Sequence, residues 1–427
     1  MNGYTLHHLF LESVIMEDHI KTKSRVLRLA LLINMLSIGT LMMVMPLGAD
    51  FVQYLNMKPE HIGYISGGAT FASALIGFFL APYLDRYDRK SALILFLLIR
   101  SVVIIICGFS TTQNELLFWF VLAGCFAGPI SGLTMASVID ITEVKERGKA
   151  IAFVASGFSL AAIIIVPVSL ELSAHFSWQV TFFLFGSIGV GFSLLSYFYF
   201  PSMVGHKVMG DKVVGDKQQP SSVGMTAMIT SPVFISALSI VGISMFGHFL
   251  LVPNLSTFFQ FNLHFPREQI SVLYLLGGVA SIFSMRLCGQ MLDKGWITQT
   301  VLVTSILVAV VTFIGFLWQG NWPLYVVFTL FMASSSARSA SVSAITSRVP
   351  LPHQRAAFMS YQGTLSNVAA GLASAVSSLY LLSDPAGRLI GIETLAMVTI
   401  GCALMVPFMV NILMNLLARR QQAGLQL

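Results

Sequence analysis

Residues 81–90 read APYLDRYDRK, and residues 289–295 read GQMLDKG. Their aspartates, Asp85 and Asp293, stand 208 residues apart, and each is followed by a basic residue, Arg86 or Lys294. The same spacing recurs elsewhere. Residues 146–150 read ERGKA and residues 354–358 read QRAAF, which puts Arg147 and Arg355 again 208 residues apart. Pro46 in VMPLGADF and Pro253 in LVPNLSTF differ by 207. Three landmarks near one offset imply two copies of a unit about half the chain long.

Composition names the solvent of that unit. Of 427 residues, 56% are hydrophobic and 10% charged, and Phe alone numbers 33. Soluble domains average about 45–50% and 25%. A bilayer can solvate that much apolar surface; a soluble core cannot enclose it. The formal charge of +6 therefore reports membrane orientation rather than nucleic-acid binding. Cys107, Cys125, Cys288 and Cys402 lie inside apolar runs with no metal-type spacing, so packed thiols are expected. Neither a metal nor a cofactor is expected.

Helices need about 20 apolar residues to cross the hydrocarbon core. The sequence predicts an all-α membrane protein of twelve transmembrane helices in two six-helix pseudo-repeats. Its spans are 29–50, 62–84, 92–110, 116–138, 149–171, 177–199, 232–254, 269–291, 299–318, 322–345, 356–380 and 391–416. With a cytoplasmic N-terminus, 18 of the 24 Lys and Arg residues fall inside and only Lys58, Arg267 and Arg388 outside. A missed span would invert every later loop, so this asymmetry predicts both termini cytoplasmic. The expected division is a tail (1–28), a first bundle (29–199), a linker (200–231), a second bundle (232–416) and a tail (417–427). The acids Glu12, Glu17 and Asp18 precede the first Lys or Arg, the wrong order for an export signal. The linker contains GDK twice and is expected to be a loosely structured tether.

Two six-span halves joined in parallel by a cytoplasmic linker resemble the major facilitator superfamily. The motifs sharpen that likeness. After the second span the family pattern is similar to G-x-L-a-D-r-x-G-r-[RK]. Leu84, Asp85, Arg86, Arg89 and Lys90 fit around it, while Ala81 and Asp88 replace its glycines. The second copy keeps Gly289, Asp293, Lys294 and Gly295. Asp140 followed by Arg147-Gly148-Lys149-Ala150 resembles the segment between spans four and five. Ser177-Trp178-Gln179-Val180-Thr181-Phe182 is similar to the family's W-R-x-x-F start of span six, with Gln179 for Arg. The drug/proton antiporter branch is the closest likeness, with departures. Phe120 occupies a position where efflux members carry Arg, and Val166-Pro167-Val168-Ser169 keeps only the proline of the span-five pattern. The resemblance implies a cytoplasmic latch built from Asp85, Arg86, Arg89, Lys90, Asp140, Arg147, Asp293, Lys294 and Arg355. Independently of the family, a carboxylate beside a helix N-terminus is favourable by about 0.3–1 kcal/mol, and Arg89 can pair with Asp140.

Ionisable side chains inside a bilayer cost about 2.5–3.5 kcal/mol each on insertion scales, which makes them candidates for the substrate or proton pathway. Arg100 lies midway along span three, suited to an anionic ligand group, a carboxylate or bonding to helix carbonyls. Arg338 lies in FMASSSARSASVSA, where binding, gating and snorkelling compete. His248 on span seven has the ordinary pKa for proton exchange, or is a core histidine. Asp50 and Glu171 sit at the outer ends of spans one and five, placed to take up protons or simply to be solvated. Asn34, Gln362 and Asn367 are uncharged hydrogen-bonding candidates.

No phosphate loop, H-E-x-x-H or G-x-S-x-G occurs, which argues against ATP-driven transport and against an intramembrane enzyme. The expected function is secondary active transport of a small organic solute by alternating access, as proton-coupled efflux (antiport) across the cell inner membrane. Proton-coupled uptake of a metabolite and a non-transporting sensor on the same fold are the alternatives. Protons, the solute and lipid are the expected partners, and the chain is expected to act as a monomer. Reporter fusions at Lys58 and Lys212 should report opposite compartments; both in one compartment would overturn the span assignment.

Overall fold

The structure is a computed structural model. It describes residues 3–84, 88–143, 146–200, 231–318, 322–350 and 355–422, with the side chains at 3–21, 81–82, 148, 152, 355–357, 360 and 421–422 excepted. The 201–230 linker, Asp85 and Arg86 thus lie outside the described residues.

In the N-terminal part the helices are α1 (Gly3–Met42), α2 (Gly48–Leu55), α3 (Ile62–Leu84), α4 (Arg89–Cys107), α5 (Gln113–Asp140), α6 (Arg147–Ala155), α7 (Gly157–Leu160), α8 (Val166–His175) and α9 (Trp178–Tyr199). The C-terminal part holds α10 (Pro232–Phe249), α11 (Leu255–Thr257), α12 (Ile270–Asp293), α13 (Ile297–Phe316), α14 (Leu324–Thr346), α15 (Arg355–Tyr380) and α16 (Ile392–Gln422). Among the described residues, ten segments are long and apolar enough to span a membrane. The other two expected spans are the helices α14 and α15, of 23 and 26 residues. Their serine, alanine and glycine content lowers their hydropathy, so apolarity alone does not count them. The first helix, α1, runs unbroken from Gly3 to Met42, and the apolar span within it is Thr22–Met42.

Prolines set where the helices break, because each removes a backbone donor and crowds the preceding turn. The first span stops at Met42, turns through Pro46 and resumes as α2. Its counterpart α10 stops at Phe249, passes a 3₁₀ turn around Pro253 (Val252–Asn254) and continues through α11 into a π-turn at Phe258–Asn262. A second π-turn, Ala161–Ile165, precedes Pro167 in α8. Asp88, which stands where the resembling pattern has glycine, caps α4. Its carboxylate accepts from the Ser91 amide at 3.1 Å and the Ser91 hydroxyl at 2.8 Å. Trp178 is fully buried and meets Phe51 edge-on at 5.3 Å and Phe182 at 5.6 Å, so the SWQVTF stretch anchors α9 in the largest apolar cluster.

Small residues let neighbouring backbones touch. Between the two parts, α3 packs on α15: a Cβ at Gly67 would lie 2.8 Å from the Gly371 carbonyl oxygen, and one at Gly63 2.3 Å from that of Ser374. Within the N-terminal part, a Cβ at Gly128 of α5 would lie 2.1 Å from the Ser73 carbonyl oxygen on α3. Gly132, four residues further along α5, has nothing within 4 Å of that position. Gly128→Ala should therefore cost about 1–3 kcal/mol by overpacking. Gly132→Ala should be neutral or stabilising by up to about 1 kcal/mol through helix propensity. Thermal unfolding of the two variants in detergent checks this, and equal responses would reject the contact as the cause.

Candidate functional site

The segments broken by proline meet at one end of the molecule, here the Asp50 end. Asp50 sits in the first turn of α2 and is 6% exposed. Arg267, from a 3₁₀ turn (Arg267–Gln269) ahead of α12, grips it with two hydrogen bonds. Its Nε donates to Oδ1 at 3.0 Å and its Nη2 to Oδ2 at 2.7 Å. Ser173 on α8 also donates to Oδ2, at 2.8 Å. Close by, the Ser271 hydroxyl of α12 donates to Glu171 of α8. The Ser256 hydroxyl of α11 donates to the Pro46 carbonyl at 2.8 Å. These residues stitch the N-terminal part to the C-terminal part. Among the described residues, every side-chain hydrogen bond between the two parts is one of these four, at the Asp50 end.

Asp50 is thus neither a solvated helix-end acid nor open to solvent. Its carboxylate is enclosed by a guanidinium and a hydroxyl because the Pro46 turn swings α2 over the C-terminal part. Spacing did not reveal Arg267, Ser173, Ser256 or Ser271. Arg267 carried one signal: it is among the three basic residues on the expected outer side.

The opposite end is built differently. Arg89, at the start of α4, pairs with Asp140 at the end of α5, and Lys23 pairs with Glu146. Arg147 donates from Nε to the Thr142 carbonyl at 3.3 Å, and Lys90 lies over the Tyr197 ring, 5.4 Å from its centroid. All of these contacts are internal to the N-terminal part. Asp293 and Lys294 are exposed at the end of α12, and the Arg355 side chain lies outside the described residues. Hydrogen bonding and charge from Lys23 hold the exposed Glu146 carboxyl below its usual value. That small contribution is present at neutral pH and is lost as pH falls through the lowered value.

The mid-membrane candidates do not gather at one point. Asn34 is buried and donates to the Val154 carbonyl at 2.9 Å, tying α1 to α6. Arg100 donates from Nη2 to the Ser37 carbonyl at 2.9 Å and the Thr40 hydroxyl at 2.6 Å, so it braces α1. Gln362 accepts from Thr346 at 3.3 Å, and Asn367 is exposed. His248 and Arg338 do come together between α10 and α14. The His248 ring stacks on Phe331 at 5.9 Å, and Arg338 of α14 bonds Ser244, one turn before His248 on α10. Arg338 is 2% exposed, so it does not snorkel, and its Nη2 reaches the Ser244 carbonyl at 3.4 Å. No group of three metal-ligating side chains occurs among the described residues.

Residues 29–374 match the Major Facilitator Superfamily. The chain belongs to this family. It is accordingly an integral membrane protein, a secondary transporter of a small organic solute working by alternating access, and not an enzyme. It is 25% identical over 286 residues to Multidrug resistance protein 2 of Bacillus subtilis (strain 168), covering 67% of this chain and 70% of that protein. It is 29% identical over 131 residues to a probable 4-methylmuconolactone transporter of Cupriavidus pinatubonensis (strain JMP 134 / LMG 1197), covering 30% and 31%. Among solved structures, a bacterial homologue of the human lysosomal transporter Spinster superposes with TM-score 0.67 at 14% identity, over 92% of this chain and 95% of that one. The nucleoside transporter NupG gives 0.67 at 13%, over 92% and 99%.

Removing one partner of a buried ion pair strands the other charge, at about 3–5 kcal/mol. Asp50→Asn or Arg267→Gln should therefore open the Asp50 end. In a Thr257→Cys background, a membrane-impermeant maleimide added from that side should label the variants and spare the parent. Equal labelling would show that the pair does not close this end.

Proposed function

We propose that this transporter exports its solute in exchange for protons, with Asp50, Arg267, Ser173, Glu171 and Ser271 closing the external side. The observation that carries the proposal is the placement of all four described inter-part side-chain hydrogen bonds at one end. A carrier sealed at one end by a few breakable polar contacts can exchange them for contacts at the other end. The α3–α15 backbone contact supplies a tight line about which the parts can rock.

In this proposal the chain has twelve spans in two six-helix bundles, divided at the 200–231 linker. Both termini lie in the cytoplasm, the membrane is the inner membrane, and the carrier acts as a monomer. The bias of 18 basic residues against 3 supports the orientation. Asp85, Arg86, Arg89, Lys90, Asp140, Arg147, Asp293, Lys294 and Arg355 would close the cytoplasmic end in the alternate state, and Arg89–Asp140 would be a part of that latch already formed. Likeness to a multidrug resistance protein favours export. Likeness to a probable 4-methylmuconolactone transporter favours the second reading, proton-coupled uptake of a metabolite.

Proteoliposomes holding the protein, an imposed pH gradient and a pH-sensitive dye test the coupling. Adding the transported member of a panel of small organic solutes should speed decay of the gradient severalfold over empty liposomes. Measurable solute flux with an unchanged decay rate would reject proton coupling.

A further inference from the structure

One face of α14 carries Phe331, Ser335 and Arg338, spaced by four and then three residues. It meets Ser244 and His248, four apart on α10. The stacked rings of Phe331 and His248 lie one to two turns from the guanidinium. Within this group, Arg338 Nε, Arg338 Nη1 and the Ser335 hydroxyl have no hydrogen-bond partner, although each atom is buried. His248 is half-buried.

Arg100 is the comparison within the same protein, with one buried donor, its Nε, lacking a partner where Arg338 has two. It covers the carbonyl of Ser37, and Arg338 covers that of Ser244; the two serines stand 207 residues apart, the offset of Pro46 and Pro253. Arg100 makes bonds of 2.9 and 2.6 Å there, whereas Arg338 makes one of 3.4 Å. A structural brace is sufficient to explain Arg100 and leaves most of the Arg338 guanidinium unused.

Among the described residues, no ion pair joins Arg338 to a carboxylate. In the C-terminal part the acids are Glu268, Asp293, Asp384 and Glu393. They occupy a 3₁₀ turn, the end of α12, the loop before α16 and the first turn of α16. An unpaired buried cation costs several kcal/mol, so an anion from outside the chain is the group that fits.

We propose that Arg338, Ser335 and His248 form the solute site, and that it takes a small organic monoanion whose carboxylate meets Arg338 and Ser335 while a flat apolar body lies against His248 and Phe331. One guanidinium neutralises one negative charge, and its N–H groups together with a hydroxyl match carboxylate oxygens. This assignment rests on the transport reading and names its solute class.

Benzoate and its neutral isostere benzamide are the probes, with the full chain in lipid nanodiscs and thermal unfolding followed by tryptophan fluorescence. Benzoate should raise the midpoint in a concentration-dependent way and benzamide should not. Arg338→Gln should weaken the benzoate effect by roughly tenfold or more. Because it removes an unpaired charge, the same variant should unfold at a higher temperature without ligand, whereas Arg100→Gln should unfold at a lower one. Equal shifts by both probes, no shift by either, or a benzoate shift that survives Arg338→Gln would overturn the site. Gradient-coupled solute flux that benzoate fails to inhibit would overturn the site and leave the transport reading standing. A benzoate shift lost in Arg338→Gln, in a protein whose solute flux ignores the gradient, would uphold the site and overturn proton coupling.

Discussion

The bidentate bond between Asp50 and Arg267 is the interaction around which the two parts are arranged. It unites opposite charges from helices 217 residues apart in sequence, in a place where water does not compete strongly. Buried pairs of this kind add little net stability, because desolvation offsets most of the attraction. They are costly to leave half-made, and that asymmetry suits a carrier. The closed end holds as a unit or opens as a unit, while the neighbouring serine contacts, each worth about 1 kcal/mol, follow.

That bond depends on the broken helices beneath it. A straight first span would carry Asp50 along the helix axis, away from the C-terminal part. The Pro46 turn redirects α2, and the related break at Pro253 brings Ser256 and Thr257 under it. The backbone groups released near such breaks need donors inside the protein, since the hydrocarbon core has none to offer. Arg100, Thr399 and Ser256 meet part of that demand: Thr399 donates to the Gly247 carbonyl at 2.8 Å, as Arg100 does to Ser37 and Ser256 to Pro46. A donor thus stands beside each of these helices, drawn from different helices in the two parts. Among the described arginines, Arg338 leaves the most buried donors without an acceptor, its Nε and Nη1.

The two ends of the molecule are held differently. At the Asp50 end, contacts cross from one part to the other. At the Arg89 end, the described ion pairs, Arg89–Asp140 and Lys23–Glu146, both lie within the N-terminal part. Between the ends, the glycine-lined approach of α3 and α15 keeps the backbones close while presenting no long side chains to interlock. Exchange between two such arrangements needs few bonds broken at a time, which is how a small ligand's binding energy can shift the balance.

The membrane class and the transporter family were legible in the sequence. Apolar run length and charge bias are local properties that lipid imposes on any chain that crosses it, and the 208-residue offset is read directly from the sequence. The Arg89–Asp140 pair was legible too, because both residues stand at span ends on one face of the membrane. The partner of Asp50 was not: Arg267 is remote in sequence and lies in a loop whose path depends on two proline breaks. Nor could sequence separate Arg100 from Arg338, two arginines in apolar helices. Only the packing decided that one has acceptors within reach and the other has too few, because hydrogen-bond satisfaction depends on which helices adjoin, and helix adjacency is set by the whole bundle rather than by either helix alone.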